Sequence, residues 1–297
     1  MFTGCGTALV TPFRQDESLD EPVLRRLIRR QIEAGINFLV PCGTTGESPT
    51  LEHEEYLRVI EIAVEESAGK VPVLAGAGGY STKKVIALVK EIEGLGVNGA
   101  LSVTPYYNKP TQEGLYRHYK AIAESTSLPI VVYSVQSRTG VNVEPATLAR
   151  MAELKNIVGV KEASGNITQM SRIVSTLPES FQILSGDDAL TLPLIALGGC
   201  GIISVVANQI PGPMTRLAKA AIEGDAKTAR QLQRKYQELM DVNFIESNPI
   251  PVKYGMSAMG LLEPVWRLPL TPPAAASKQK IDDVLTKAGL LAGSAHA

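Results

Sequence analysis

Short apolar runs alternate with amphipathic stretches along almost the whole chain. The runs at 5–10, 37–42, 71–76, 99–104, 129–135, 157–161, 181–185 and 201–206 show little polar alternation, as strands buried on both faces require. The first helix between them opens near Asp20 with Pro22 just inside, aligns Leu24, Leu27, Ile28 and Ile32 on one face, and ends at Gly35. A second follows Thr50 with the stripe Leu57, Ile60 and Val64. A third follows Ser81 and presents Val85, Leu88, Val89 and Ile92 before Gly94. Segments 111–125, 144–154, 167–177, 188–197 and 213–223 continue the alternation. Eight β-then-α units over about 220 residues predict a (β/α)8 TIM barrel. A doubly wound sheet is the second choice, but the G-x-G-x-x-G it calls for after the first strand is missing. Helices are predicted again at 225–243, 249–261 and 277–291, the last after the breaker PLTPPAAAS. The chain thus reads as a catalytic barrel over 1–224 and a C-terminal helical appendage over 225–297 packed on it, with Gly293–Ala297 frayed.

Composition narrows the function classes. With 44% hydrophobic residues in 297 and a net charge of −1 from 29 basic and 30 acidic side chains, a large core is possible. Nothing in that balance marks a nucleic-acid or anionic-membrane partner. No apolar run is long enough to span a membrane, and MFTGCGT does not open a signal peptide, so a cytoplasmic protein is expected. Cys5, Cys42 and Cys200 are odd in number and lie in apolar runs, which predicts buried thiols. The histidines His53, His118 and His296 have no ligand-type spacing, so no metal is expected. His53 and His118 fall in helical stretches and are predicted to be solvated.

The chemistry collects at the predicted C-terminal ends of the strands, where barrels of this kind place their active sites. Lys161 ends the sixth apolar run. A buried ammonium costs several kcal/mol unless it is paired or gives up its proton, and the free amine attacks carbonyl carbon. Lys161 could instead snorkel to solvent or pair with Glu162. Strand two leads into Gly43-Thr44-Thr45-Gly46-Glu47-Ser48, which is either a capped turn or a loop offering backbone N–H groups to a carboxylate. Tyr106 and Tyr107 follow strand four as packing or reacting aromatics. Tyr133 interrupts an aliphatic strand and needs a partner for its hydroxyl if buried. Arg138 follows strand five, as a surface ion-pair residue or a bidentate carboxylate clamp. Gly186-Asp187-Asp188 ends strand seven and Ile203 lies in strand eight.

The motifs CGTALVTPF (5–13), GTTGES (43–48), TPYYNKPTQEGL (104–115), YSVQSRTG (133–140), VKEASG (160–165), SGDD (185–188) and NPIPVKYGMSAMGL (248–261) occur in this order. Through them the chain resembles the dihydrodipicolinate synthase branch of the pyruvate-dependent Schiff-base lyases, which include N-acetylneuraminate lyase. The resemblance implies a cofactor-independent enzyme in which Lys161 forms an imine with pyruvate. Tyr133, Thr44 and Tyr107 would relay protons, Tyr107 coming from a neighbouring subunit of a homotetramer built as a dimer of dimers. Thr45 would hold the pyruvate carboxylate through its backbone N–H and hydroxyl, and Ile203 would line that pocket with its carbonyl. Gly186 would also bind substrate, and Arg138 would take the carboxylate of aspartate semialdehyde. A Schiff-base aldolase for a sugar acid or 4-hydroxy-2-oxo acid, and a non-catalytic oxo-acid sensor, are the alternatives.

Two departures from the family pattern stand out. Ser134 and Gln136 replace an Asn and a Pro ahead of Arg138, and losing the proline costs up to about 1 kcal/mol of preorganisation. The family's lysine-inhibition pocket maps to Ser48, Pro49, His53, Tyr56, Tyr80, Lys84 and Tyr106. Lys84 stands where sensitive enzymes often carry a glutamate and Tyr80 where they carry an asparagine, so weak or absent inhibition by lysine is expected.

Overall fold

The computed structural model describes residues 2–291, so His296 and the 293–297 tail lie outside the described residues. Eight strands, β1 (Gly4–Ala8), β2 (Phe38–Val40), β3 (Leu74–Gly76), β4 (Gly99–Val103), β5 (Ile130–Ser134), β6 (Ile157–Glu162), β7 (Gln182–Ser185) and β8 (Gly201–Ser204), form one parallel sheet. Its order runs from β2 through β1 and β8 down to β3. A parallel bridge between Leu39 and Val73 joins the two ends and closes the barrel.

Helices α1 (Glu21–Glu33), α2 (His53–Ser67), α3 (Thr82–Gly94), α4 (Gln112–Ala123), α5 (Gln136–Thr139), α6 (Pro145–Ala152), α7 (Ile167–Thr176), α8 (Thr191–Leu197) and α9 (Pro211–Ile222) alternate with the strands. The caps follow the sequence. Asp20 accepts a hydrogen bond from Val23 N–H at the start of α1, and Thr111 accepts one from Gly114 N–H at the start of α4. The second helix begins later than predicted, because Ser48–Thr50 forms its own 3-10 turn and the reciprocal Glu52–Glu55 capping box then starts α2. Helices α10 (Ala226–Val242), α11 (Ile250–Ala258) and α12 (Ala275–Lys287) follow, α10 packing on α9 and α12 on α10 and α11. No helix among the described residues is long and apolar enough to cross a membrane.

Alternation along the strands sorts side chains into two cores. The outward residues meet the helices in one large apolar layer. The inward residues Phe38, Leu74, Leu101, Val131, Tyr133, Leu184 and Ile203 fill the barrel together with Phe2. Gly6 is required there: a Cβ on it would stand 2.1 Å from the Phe38 ring. Lys161 is the inward residue of β6 nearest its end, and Glu162 therefore points outward. The rim this creates carries the site.

Candidate active site

Lys161 pairs in register with Tyr133 across β6 and β5. It is 5% exposed, and its Nζ lies 4.3 Å from the centre of the Tyr133 ring. It neither snorkels nor pairs with Glu162. Glu162 turns to the helix side, where it accepts from Ser164 N–H and from Gln169, and burial raises its pKa above the usual carboxylate range. Among the described residues Lys161 has no acidic partner.

The amine opens on a cavity of 190 Å³ lined by Thr44, Thr45, Tyr133, Arg138, Gly186, Asp187 and Asn248, among others. Thr44 and Thr45 lie in the 3-10 turn Thr44–Gly46 that follows β2, and Thr45 is buried. Gly186 lies where the Lys161 side chain passes, because a Cβ there would stand 3.0 Å from Lys161 Cε. Burial raises the Asp187 carboxyl above its ordinary range, although Asp187 Oδ1 accepts from Ala189 N–H. Ile203 does not line this cavity; its side chain is packed inside the barrel, and the β8 end contributes Val205 instead. No side chain among the described residues bonds the Tyr133 hydroxyl, which leaves that group open to a bound molecule.

Arg138 sits on α5, a single turn ended by Gly140 in the left-handed region, where the sequence showed only a loop. Gln136 is the first residue of that turn, a position proline suits, so its replacement leaves the helix formed. Ser134 is buried and its hydroxyl accepts from Val143 N–H. Arg138 makes no ion pair among the described residues and donates through Nη2 to the Asn248 carbonyl at 3.0 Å. Asn248 Nδ2 in turn donates to Thr45 Oγ1 at 3.0 Å. The sequence pattern alone assigns no role to Asn248 or Asp187.

A second cavity of 290 Å³ shares Thr44, Tyr133 and Arg138 with the first and extends to Ser48, Pro49, Tyr56 and Tyr106. Tyr80 packs edge-to-face on Tyr106 at 5.4 Å. His53 and Lys84 are exposed and line neither cavity; His53 pairs with Glu91 at 2.9 Å. Tyr107 is 93% exposed, with a backbone φ of 73° that a tyrosine rarely adopts.

Cys5 and Cys42 are buried, and burial raises both thiols, whereas Cys200 is only partly buried. His118 is not solvated: it is 5% exposed between α3 and α4, its Nδ1 is 2.9 Å from Thr82 Oγ1, and desolvation pulls its pKa down to about 4.

The chain that places a lysine, a tyrosine and a 190 Å³ cavity at the rim of a β/α barrel also matches a sequence family over nearly its whole length: the profile of the Dihydrodipicolinate synthetase family aligns with residues 1–288. The chain belongs to that family. It is 51% identical over 296 residues to a 4-hydroxy-tetrahydrodipicolinate synthase of Chloroherpeton thalassium, covering 99% of this chain and 98% of the relative. Its fold superposes on the dihydrodipicolinate synthase of Thermotoga maritima with a TM-score of 0.96 at 49% identity, covering 98% of this chain and 100% of the other. It superposes equally, at TM-score 0.96 and 42% identity over 98% and 100% of the two chains, on the chloride-inhibited synthase of Acinetobacter baumannii in complex with pyruvate.

Proposed function

We propose that this chain is a 4-hydroxy-tetrahydrodipicolinate synthase that condenses pyruvate with aspartate semialdehyde. The observation that carries the reading is the buried Lys161 amine, free of any acid partner among the described residues, over Tyr133 and facing Thr45 and Arg138 across one cavity. The amine attacks C2 of pyruvate and water leaves, giving a protonated imine. That imine is an electron sink, so the pyruvate methyl loses a proton and becomes an enamine. The enamine adds to the aldehyde, and the second substrate's own amine displaces Lys161 and closes the ring.

Tyr133 acts as the acid/base, with Thr44 bridging to Tyr107. Hydroxyl groups suit this relay because each donates and accepts. The Thr45 hydroxyl and backbone hold the pyruvate carboxylate, and Gly186 leaves room for it beside the lysine. Arg138 takes the carboxylate of the semialdehyde. The barrel supplies the reacting groups, and the helical region that follows it from residue 225 supports them through Asn248.

The high exposure and strained backbone of Tyr107 support its donation to a second copy's site, in a homotetramer built as a dimer of dimers working in the cytoplasm. Mixing Tyr107→Phe with Lys161→Ala should then restore activity that neither variant has alone; no recovery after subunit exchange counts against sharing. For the reaction itself, borohydride with pyruvate should trap a reduced adduct on Lys161 and no other residue. Its absence, or faster turnover of a sugar-acid aldehyde than of aspartate semialdehyde, refutes the assignment.

A further inference from the structure

The structure assigns Asn248 as the positioning residue that sets the direction of the Thr45 hydroxyl. Hydrogen-bond polarity carries the argument. A hydroxyl has one proton, so its partners decide whether it can donate to a ligand. Asn248 Nδ2 donates to Thr45 Oγ1 at 3.0 Å, and both residues are buried in the wall of the cavity that holds Lys161. With the amide in this orientation, its Oδ1 buried and without a partner among the described residues, Thr45 Oγ1 is an acceptor toward Asn248. No acceptor among the described residues takes its proton, which is left to donate into the cavity. That direction is the one a carboxylate needs. The inference rests on the reading of Thr45 as the pyruvate-carboxylate group and names what enforces it.

The backbone of the same residue is held independently of its side chain. The Asn248 carbonyl accepts from Arg138 Nη2 at 3.0 Å, a bond that any residue at this position could keep. Five residues on, Lys253 forms a fully buried ion pair with Glu47, two residues past Thr45. The segment leading into α11 is thus fastened to the Thr44–Gly46 turn at a second point. Truncating the Asn248 side chain removes the orienting bond while leaving Arg138 and the ion pair in place. The two substrates should therefore respond differently.

The experiment is a set of four variants, Asn248→Ala, Asn248→Asp, Thr45→Val and Thr45→Val with Asn248→Ala. It reads the pyruvate concentration that half-saturates borohydride trapping on Lys161, the KM for aspartate semialdehyde, and the thermal midpoint. Asn248→Ala should raise the half-saturating pyruvate about tenfold, the size of one lost hydrogen bond to a charged group, with the semialdehyde KM within about twofold of wild type. Asn248→Asp keeps the shape but can only accept, turning the Thr45 proton toward itself. It should weaken pyruvate at least as much as alanine does, and it supplies the test if the alanine variant does not fold. In the Thr45→Val background, Asn248→Ala should add less than about a twofold effect, since the group it orients is gone.

If Thr45→Val weakens pyruvate and neither Asn248 variant does, the role of Asn248 is overturned and that of Thr45 stands. If the effects of Thr45→Val and Asn248→Ala simply multiply, or both substrates weaken together with a lowered midpoint, Asn248 is only structural and the inference fails. If Thr45→Val leaves pyruvate unchanged, the Thr45 assignment itself is wrong and the inference falls with it.

Discussion

Gly186→Ala places one methyl group beside the reactive amine, just past the end of β7. Its Cβ would stand 2.6 Å from Ala163 Cβ, 3.0 Å from Lys161 Cε and 3.2 Å from the Glu162 carbonyl. Ordinary carbon–carbon contacts lie at about 3.5–4.0 Å, so the first contact is short by about 1 Å and the second by at least about 0.5 Å. Ala163 has no side-chain torsion that could move its Cβ away, so β6 and β7 must part locally, at about 1–3 kcal/mol of stability. Lys161 can swing, but swinging carries the amine off its approach to the carbonyl carbon, and a 1 Å misplacement costs about a hundredfold in rate. The expected result is a folded protein whose borohydride-trapping rate with pyruvate and kcat both fall by about a hundredfold. Adding Ala163→Gly removes the closest contact but not the one with Lys161, and should restore stability without restoring rate. A folded Gly186→Ala protein that traps pyruvate at the wild-type rate would refute the steric argument.

Three further outcomes follow from buried groups and from a surface lysine. Lys253 and Glu47 are both fully buried, and burial lowers the Lys253 pKa against the pull of Glu47, so Lys253→Met should cost about 3–5 kcal/mol in urea unfolding. Replacing Glu47 with Leu as well should recover much of that; an unchanged midpoint in the single variant would show that the pair contributes nothing. Burial pushes the Asp188 carboxyl up to about 6 in spite of hydrogen bonds from the Ser204 hydroxyl and the Val205 and Val206 N–H groups. The folded state then holds this proton more tightly than the unfolded state, so the stability it contributes is complete below about pH 4 and lost as pH rises through about 6, up to about 3 kcal/mol. Asp188→Asn should flatten that part of the pH–stability curve; an identical curve would count against the shift. Lys84, exposed and cationic on α3, replaces the glutamate expected to receive a lysine ammonium, so sub-millimolar lysine should leave activity unchanged. Activity halved in that range would refute the expectation.

Strands buried on both faces leave a signal in one dimension, and so the barrel was legible: each predicted run contains the observed strand, apart from a residue or two at the ends. Lys161 was legible because an ammonium is out of place in such a run whatever surrounds it. His118 was misread although its position held the answer. Leu115, His118, Tyr119 and Ile122 share the i, i+3, i+4, i+7 spacing of a buried helix face, and the histidine's polarity was given more weight than that spacing. Arg138 was seen but not its support, because the four residues of α5 are too few to show a helical period. Asn248 was hidden for a different reason. An asparagine before a proline is ordinary in any loop, and its partner Thr45 lies 203 residues away, a separation that no periodicity can report. Residues that conflict with their local surroundings can be found from sequence, whereas residues that orient others through the fold become visible only once the distant partner is placed. For this reason the nucleophile of a barrel enzyme is easier to read than the amide that turns one hydroxyl toward its substrate.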